Sequence, residues 1–353
     1  MSLRLFAALA LLGSSLMPAQ PTTSVIIDTD CGHDDLTAIA FLLARPDVRI
    51  EAVTIANGLA HVQAGAANVL RLLALGGRGD VPVFIGRDTP LRGHAAFPDP
   101  WREKSDALLD GLKVPPAGHA PEVQPAADYL ASRLRQRSRP VRILALGPLT
   151  NFGQALERHP EILRGVEMVI MGGAVRVPGN LGDGGTFKTS NTTAEWNIFI
   201  DPLAAKRVFD SGARIHLIPL DATNHVPIDA GFLRELELKA RTPLGAFAVA
   251  IMERDRKAIE QGTYYAWDAV AGVALVEPAA VQIRPVAIEI KQDTPEEGRT
   301  AEVTPPPAKE QAAIRSTNAW VALGADAAIF RNVFIAAFRA ASPARADSKA
   351  ATP

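Results

Sequence analysis

The sequence alternates between short apolar runs and longer segments with helical periodicity, and no other feature constrains the fold as strongly. The alternation starts at Ser24 and continues through most of the chain. Short runs rich in Val and Ile predict buried strands, and the segments between them predict helices. Strands separated by helices pair in parallel and are covered on both faces. The sequence therefore predicts a single α/β domain with a mostly parallel, open sheet and helices on both faces.

These patterns locate most of the strands and helices. The predicted strands are 25–28, 49–55, 81–85, 141–146, 167–171 and 214–219. The predicted helices are 34–44, 61–75, 126–137, one from Asn151, 202–209 and a last one at about 326–340. A hairpin is predicted from 286–291 and 300–304.

Two long stretches interrupt the alternation. Residues 87–125 are rich in Pro, Gly and His, and residues 177–193 are rich in Gly, Asn and Thr. Long loops in a compact domain are often lids or binding loops, although a disordered insertion has a similar composition. Both stretches follow predicted strands, and ligands of open parallel sheets bind beyond the carboxyl ends of strands. We therefore expect them to border a ligand site.

The first residues have the composition of an export signal. Arg4 precedes the apolar run 5–12, and small and polar residues follow as far as Gln20. The run is shorter than the roughly 20 apolar residues of a membrane anchor. We therefore expect residues 1–20 to direct export to the periplasm or the medium, with a frayed helix of a cytosolic protein as the alternative. Residues 342–353 predict a disordered tail.

Charge and cysteine content exclude some partners. Lys and Arg number 37 against 38 Asp and Glu, and no basic stripe is present that would neutralise phosphates. Nucleic acid is therefore not expected to bind. The single Cys31 rules out an intramolecular disulfide, so cysteine usage permits export without supporting it.

An acidic cluster follows the first predicted strand. Asp28, Asp30, Asp34 and Asp35 lie within eight residues. One acidic residue in a helix's first turn is ordinary, but several unpaired carboxylates repel one another and raise each other's pKa unless a cation compensates. Gly32 permits the tight turn that lets them face one point. Oxygen ligands without clustered His or Cys indicate calcium or magnesium.

A strand followed by Asp-x-Asp also occurs in phosphatases that form an aspartyl-phosphate and bind magnesium. Those enzymes need a further Lys and Ser or Thr for the phosphoryl oxygens. Here Asp34 and Asp35 add negative charge where a phosphate would be repelled. The pattern therefore favours a hard-cation site of another reaction class.

The residues 28–35 resemble the Asp-x-Asp-x-Gly-x-Asp-Asp hallmark of the inosine-uridine type nucleoside hydrolases. Three later segments resemble that family in the same order: 146–151, 171–173 and 194–202. The resemblance covers nearly all of residues 24–340. It implies that 24–341 form a catalytic domain with the Rossmann-like nucleoside hydrolase fold, which hydrolyses the N-glycosidic bond of nucleosides.

The resemblance also implies a role for each polar residue. The implied calcium ligands are Asp30, Asp35, Asp268 and the backbone carbonyl of Leu146. Asp30 would also be the general base that activates a water held by the ion, and Asp28 would be a supporting carboxylate. The implied ribose-binding residues are Asp34, Asn57, Asn180, Glu195 and Asn197.

Two of the asparagine assignments have alternatives. Asn57 at a strand end and Asn180 beside Gly179 have the composition of turns. Asn191 competes with Asn180 for the same role. We favour Asn180, because the pair Gly179-Asn180 matches the family pattern.

The residues directly before Asp268 indicate how the base is activated to leave. Many family members carry a His directly before this Asp, whereas this chain has Trp267. Residues 264–268 resemble the purine-specific, inosine-adenosine-guanosine preferring branch, and 97–101 resemble its other tryptophan loop. The base would then stack between Trp101 and Trp267, because aromatic faces stabilise a base that is becoming protonated. Packing in the core is the alternative for both tryptophans.

The sequence thus leads to the hypothesis of an exported, calcium-dependent purine nucleoside N-ribohydrolase. Alternatives are a broad or pyrimidine-preferring hydrolase and a non-catalytic exported nucleoside-binding protein. His33 and His225 are expected to be structural, although His225 could approach the base. The purine-specific branch implies a homodimer.

Overall fold

The computed structural model describes residues 23–136, 139–182, 187–303 and 318–339. The predicted export segment, 1–20, and the predicted tail, 342–353, lie outside these residues, so both stay predictions. Within the described ranges, no helix has the length and apolar character needed to cross a membrane.

The described residues form ten strands and thirteen α-helices. The strands are β1 Thr23–Thr29, β2 Val48–Ile55, β3 Val83–Ile85, β4 Arg142–Ala145, β5 Glu167–Met171, β6 Arg214–Ile218, β7 Val281–Val286, β8 Ile288–Ile290, β9 Thr300–Glu302 and β10 Ala319–Ala325. The helices of the first half are α1 His33–Leu43, α2 Val62–Leu75, α3 Asp99–Asp106, α4 Ala126–Gln136, α5 Thr150–Arg158, α6 Trp196–Ile200 and α7 Pro202–Asp210. Those of the second half are α8 Leu220–Thr223, α9 Ala230–Lys239, α10 Pro243–Glu253, α11 Arg256–Glu260, α12 Trp267–Val276 and α13 Ala327–Ala337.

Eight strands form one sheet in the order β3-β2-β1-β4-β5-β6-β10-β7. Its pairs are parallel, apart from the antiparallel pair of β10 with β7. Strands β2 and β3 extend the sheet to one side of β1, whereas β4, β5 and β6 extend it to the other. Loops after β1 and β4 therefore diverge, and ligands of open α/β sheets bind in the crevice that this reversal creates.

Apolar side chains cover both faces of the sheet, as predicted. One buried cluster includes Leu36 and Phe41 of α1 and Phe334 of α13. The other includes Phe152 of α5 and Val208 of α7. Strand β1 serves both clusters, because successive side chains of a strand point to opposite faces. The predicted α/β fold with helices on both faces is confirmed.

The sequence patterns missed several elements. Strand β7 contains Arg284 and Pro285 and lies at the sheet edge, so it lacks the apolar run of a central strand. The stretch 87–125 was predicted as a loop but contains α3. That helix buries only Ser105, so it has no apolar periodicity by which the sequence could reveal it.

Gly153 permits the close contact between α5 and α7. A Cβ at this position would lie 2.5 Å from Ala204 Cβ and 2.7 Å from Ala204 Cα. We predict that Gly153→Ala lowers the free energy of unfolding by about 1–3 kcal/mol, because the two helices must move apart. Urea unfolding followed by circular dichroism measures this change.

Gly272 of α12 is the matched control, because its added Cβ would lie no closer than 3.6 Å to a neighbour. Gly272→Ala should be neutral or stabilise by up to about 1 kcal/mol, since alanine favours helix. Equal stability changes in the two variants would contradict the packing argument.

Candidate active site

A cavity of about 760 Å³ opens at the carboxyl ends of the central strands. Asp30 contributes from the loop after β1, and Leu146 and Met171 contribute from the ends of β4 and β5. The two stretches predicted as binding loops also line it, through Trp101 and Asn180. The volume is in the range typical of small-molecule sites.

Three carboxylates converge in this cavity. Asp34, Asp35 and Asp268 each offer an oxygen, and these atoms lie within 4.8 Å of one another. Asp34 and Asp35 stand in the first turn of α1, and Asp268 stands in the first turn of α12. The amino ends of two helices that are distant in sequence therefore meet here, and their free N–H groups favour negative charge.

Asp30 lies beside this group in a tightly packed position. Its Oδ2 accepts a hydrogen bond from Leu59 N at 2.9 Å. A Cβ at Gly58 would lie 2.1 Å from Asp30 Oδ2, and one at Gly147 would lie 2.8 Å from Asp30 Cβ. Burial, followed by the charge of Asp35, raises the pKa of Asp30 well above its ordinary value. The lack of a side chain at Gly58 and Gly147 thus leaves the space that Asp30 occupies beside the other carboxylates.

The donor set fits a hard divalent cation. Burial and the charge of Asp35 raise the pKa of Asp268, and Asp268 Oδ1 is buried without a hydrogen-bond partner in the described structure. Burial also raises the pKa of Asp34 to about 6. Such oxygens are costly to bury unless a cation is shared between them. The predicted ligand carbonyl of Leu146 also lines the cavity and accepts a hydrogen bond from Asn197 Nδ2 at 2.9 Å.

The structure brings Asp34 as well as the predicted calcium ligands Asp35 and Asp268 to one point. The assignment of Asp30 to the ion and of Asp34 to the sugar stays a prediction. Asp28 is fully buried, and its Oδ1 accepts hydrogen bonds from Thr54 Oγ1 and from Asn151 Nδ2 at 2.7 Å. Burial raises the pKa of Asp28 to about 7. Asp28 thus links β1, β2 and α5 beneath the site.

A second wall of the cavity is built around Glu195. This residue caps α6 and accepts hydrogen bonds from Gly173 N at 2.8 Å and Asn197 N at 2.9 Å. Burial raises the pKa of Glu195 to about 7. Asn180 Oδ1 accepts a hydrogen bond from Trp196 N at 3.2 Å. Glu195, Asn197 and Asn180 are thereby fixed along one wall.

The remaining asparagines have different surroundings. Asn57 is buried beyond the end of β2 but is not among the described residues that line the cavity. Asn191 is also absent from the lining. It accepts hydrogen bonds from Thr193 N and Ala194 N and donates one to Glu297 O, so it shapes its own loop. Of the two competing residues, Asn180 is the one at the cavity.

Both predicted tryptophans line the cavity. Trp101 of α3 packs against Trp196, with ring centroids 5.6 Å apart, and Phe97 stacks on Trp196 at 4.7 Å. Trp267 of α12 meets the edge of Tyr264 at 5.4 Å. Each tryptophan is therefore partly packed against other aromatic rings and partly available to a ligand.

A group of polar side chains centred on Asp255 also lies at the cavity, and no pattern in the sequence indicated it. Asp255 Oδ1 pairs with Lys104 Nζ at 2.6 Å, and Asp255 Oδ2 lies 3.5 Å from His33 Nδ1. His33 Nδ1 is also 3.2 Å from the Tyr264 hydroxyl. His225, the other histidine considered, is exposed and does not line the cavity. Lys104 and Asp255 are 151 positions apart, so no local pattern links them.

Comparison with known proteins agrees with this geometry. The family model described as inosine-uridine preferring nucleoside hydrolase matches residues 25–332. The pyrimidine-specific ribonucleoside hydrolase RihA of Citrobacter koseri is 38% identical over 207 residues, which are 58% of this chain and 62% of that protein. The chain thus spans about three fifths of the length of the curated relatives that it matches.

Solved structures of nucleoside hydrolases have the same fold. A plant nucleoside hydrolase superposes with a TM-score of 0.77 at 28% identity, covering 91% of this chain and 100% of that one. The purine-preferring ribonucleoside hydrolase from Gardnerella vaginalis superposes with a TM-score of 0.75 at 25% identity, covering 90% and 98%. The relatives thus include proteins named for purines and for pyrimidines.

We predict that calcium stabilises the folded chain through the carboxylate group. At a concentration about 100 times its Kd, calcium should raise the melting temperature by on the order of 5 °C, because only the folded state presents the converging oxygens. Differential scanning fluorimetry with chelator and with added calcium measures the shift. Asp268→Asn should lose most of it, whereas the exposed control Asp88→Asn should keep it. An unchanged shift in Asp268→Asn would place the ion elsewhere.

Proposed function

This chain belongs to the inosine-uridine preferring nucleoside hydrolase family, and on that premise we propose that it hydrolyses the N-glycosidic bond of purine ribonucleosides with calcium as cofactor. The products are the free base and ribose. The observation that carries the proposal is one cavity that joins the Asp34, Asp35 and Asp268 oxygens to the wall of Glu195 and to two tryptophan rings.

The reaction needs a water deprotonated beside the anomeric carbon. The water oxygen forms a bond to the anomeric carbon while the bond between this carbon and the base nitrogen breaks. The electron pair of the broken bond leaves with the base. Asp30 is the proposed general base, since burial and Asp35 make its carboxylate a better proton acceptor by raising its pKa. Calcium held by Asp30, Asp35, Asp268 and the carbonyl of Leu146 would orient the water and lower its pKa.

The ribose is proposed to lie against the wall of Glu195, Asn197 and Asn180. The carboxylate of Asp34 and the amide of Asn180 are at the cavity to receive sugar hydroxyls. Positive charge develops on the sugar ring as the glycosidic bond lengthens, and nearby carboxylates stabilise that charge. Glu195 already accepts hydrogen bonds from three backbone N–H groups, so it is preorganised for this role.

The base is proposed to stack on Trp101 and Trp267. Trp267 occupies the position directly before Asp268, and its indole has no proton of suitable acidity for the leaving base. Electron-rich rings instead favour a purine that has taken a proton from solvent, and such a purine departs more easily. Purine selectivity therefore rests on this aromatic pair.

A pyrimidine ribonucleoside is the second candidate substrate. It is favoured by the relative from Citrobacter koseri, whose name specifies pyrimidines. The polar group of His33, Asp255 and Tyr264 is also at the cavity and offers hydrogen bonds to a base or sugar. The two candidates predict opposite orders of turnover for inosine and uridine.

We predict that the protein releases reducing sugar from inosine faster than from uridine or cytidine, and that chelation abolishes the release. Asp30→Asn should lower kcat at least about a hundredfold, because a positioned base contributes about that much. Asp88→Asn serves as the control and should keep full activity.

Two other outcomes of this experiment would each replace the proposal with a different function. Faster release from uridine would replace the purine proposal with the pyrimidine one. Binding of nucleosides without turnover, in the presence of calcium, would contradict hydrolysis and leave a nucleoside-binding protein.

For the aromatic pair, we predict that Trp101→Ala and Trp267→Ala each lower kcat/KM for inosine by about tenfold to a hundredfold, since one stacked base contributes about 1–3 kcal/mol. Trp101→Phe should retain part of the activity because it keeps an aromatic face. Trp320→Ala is the matched control, since this exposed residue stacks on His216 of β6 instead. Near-normal rates for both cavity variants would show that the base leaves by another route.

A further inference from the structure

A second cavity lies at the opposite edge of the sheet from the active site. It has a volume of about 550 Å³ and is lined at the amino ends of four neighbouring strands. Ser24 of β1 borders it, together with the first residues of the next three strands, Arg142 of β4, Glu167 of β5 and Arg214 of β6. No step of the proposed hydrolysis uses this cavity.

Arginine dominates the lining. The five arginines at the cavity are Arg133, Arg139, Arg142, Arg164 and Arg214. Glu167 is the one carboxylate among the lining residues. The whole chain has a formal net charge of −1, so this cavity is a local concentration of positive charge.

Two of the arginines are neutralised by partners within the chain. Arg133 pairs with Glu51, with Nη2 and Oε2 3.0 Å apart, and Arg133 also donates to the carbonyl of Arg139 beyond the end of α4. Arg142 Nε lies 3.0 Å from Glu167 Oε1. These contacts give both residues an ordinary structural role.

The other three arginines have no charged partner of this kind. Within the described parts of the chain, the guanidinium groups of Arg139, Arg164 and Arg214 form no hydrogen bond or ion pair. Like charges grouped around a concave surface repel one another, and the repulsion falls when an anion occupies the concavity.

The loop that carries Arg164 and the start of β6, which carries Arg214, are held together by backbone hydrogen bonds. Gly165 N donates to Gly212 O at 2.8 Å, and Arg214 N donates to Val166 O at 2.8 Å. The position of a Cβ on Gly212 would lie 3.7 Å from Arg164 Cγ, so the arginine stem is next to that glycine. The backbones of Arg164 and Arg214 are thus positioned before any ligand binds.

We propose that this cavity binds the phosphate group of a small phosphorylated molecule. Guanidinium forks match phosphate oxygens in geometry and make charge-assisted hydrogen bonds to them. A cavity of about 550 Å³ has room for more than the phosphate itself, so a phosphomonoester fits the volume better than the free ion. Arg164 and Arg214 donate hydrogen bonds to the phosphate oxygens, and Arg139 adds a third positive charge at the cavity.

Isothermal titration calorimetry at low ionic strength tests the proposal on the full chain. The probes are glycerol 3-phosphate, inorganic phosphate, and glycerol as the control without phosphate. Glycerol 3-phosphate should bind, glycerol should not, and a weaker affinity for inorganic phosphate would identify the ester as the preferred source. Added salt should weaken binding, since the contacts are ionic.

The double variant Arg164→Gln, Arg214→Gln should bind glycerol 3-phosphate at least about tenfold more weakly, because hydrogen bonds between charged groups are lost. Arg234→Gln on α9 removes the same charge from an exposed helix outside the cavity and should bind like the unmodified chain. Arg139→Gln alone is the second variant if the double variant melts at a lower temperature.

Three results would overturn the proposal: no binding of either phosphate probe, equal binding by the variant and the unmodified chain, or displacement of the probe by excess inosine. The last result would put the phosphate in the active-site cavity. Nucleoside turnover should be unchanged in the double variant. Phosphate binding is measured without any nucleoside, so its failure is separate from a failure of the hydrolase proposal.

Discussion

Mutual repulsion between buried carboxylates is the constraint on which the rest of the structure depends. Asp34, Asp35 and Asp268 present oxygens within 4.8 Å of one another, and burial and the charge of Asp35 raise the pKa of Asp30 beside them. The amino ends of α1 and α12 offset part of this repulsion through their dipoles. A shared divalent cation would remove most of the remainder. The same charges that resist burial are therefore the ones that, in the proposed reaction, would hold the ion and stabilise a cationic sugar.

The fold supplies this concentration of charge without opening the core. The reversal of strand order at β1 and β4 leaves a crevice at the sheet edge, so the carboxylates can be buried by loops and helix ends instead of by apolar side chains. Gly58 and Gly147 let two loops approach Asp30 more closely than any side chain would allow. Asp28 and Asn151 then connect the loop to strands and helix beneath it.

How far the sequence predicts the site depends on how local each part is. The residues 28–35 are consecutive, so their spacing alone predicts a hard-cation site. Asp268 enters from a helix 233 positions after Asp35, and only resemblance to a family connected the two. The contact of Lys104 with Asp255 had no signal at all, since each resembles an ordinary surface charge. Helix α3 was missed for a related reason, because it contributes a single buried residue to the fold.

The residues proposed to contact the base come from helices that are attached to the fold in different ways. Asp34, Asp35 and Asp268 belong to α1 and α12, and most other side chains of these two helices are buried. Trp101 belongs to α3, which is attached through buried Ser105, the ring of Trp196, the Lys104–Asp255 ion pair and hydrogen bonds from His61 and Asn68. Trp101 therefore reaches the cavity from a helix other than the two that carry Asp35 and Asp268. In the proposed complex the base would therefore meet one ring from α3 and one from α12, and only the second shares a helix with a carboxylate of the site, because Trp267 directly precedes Asp268.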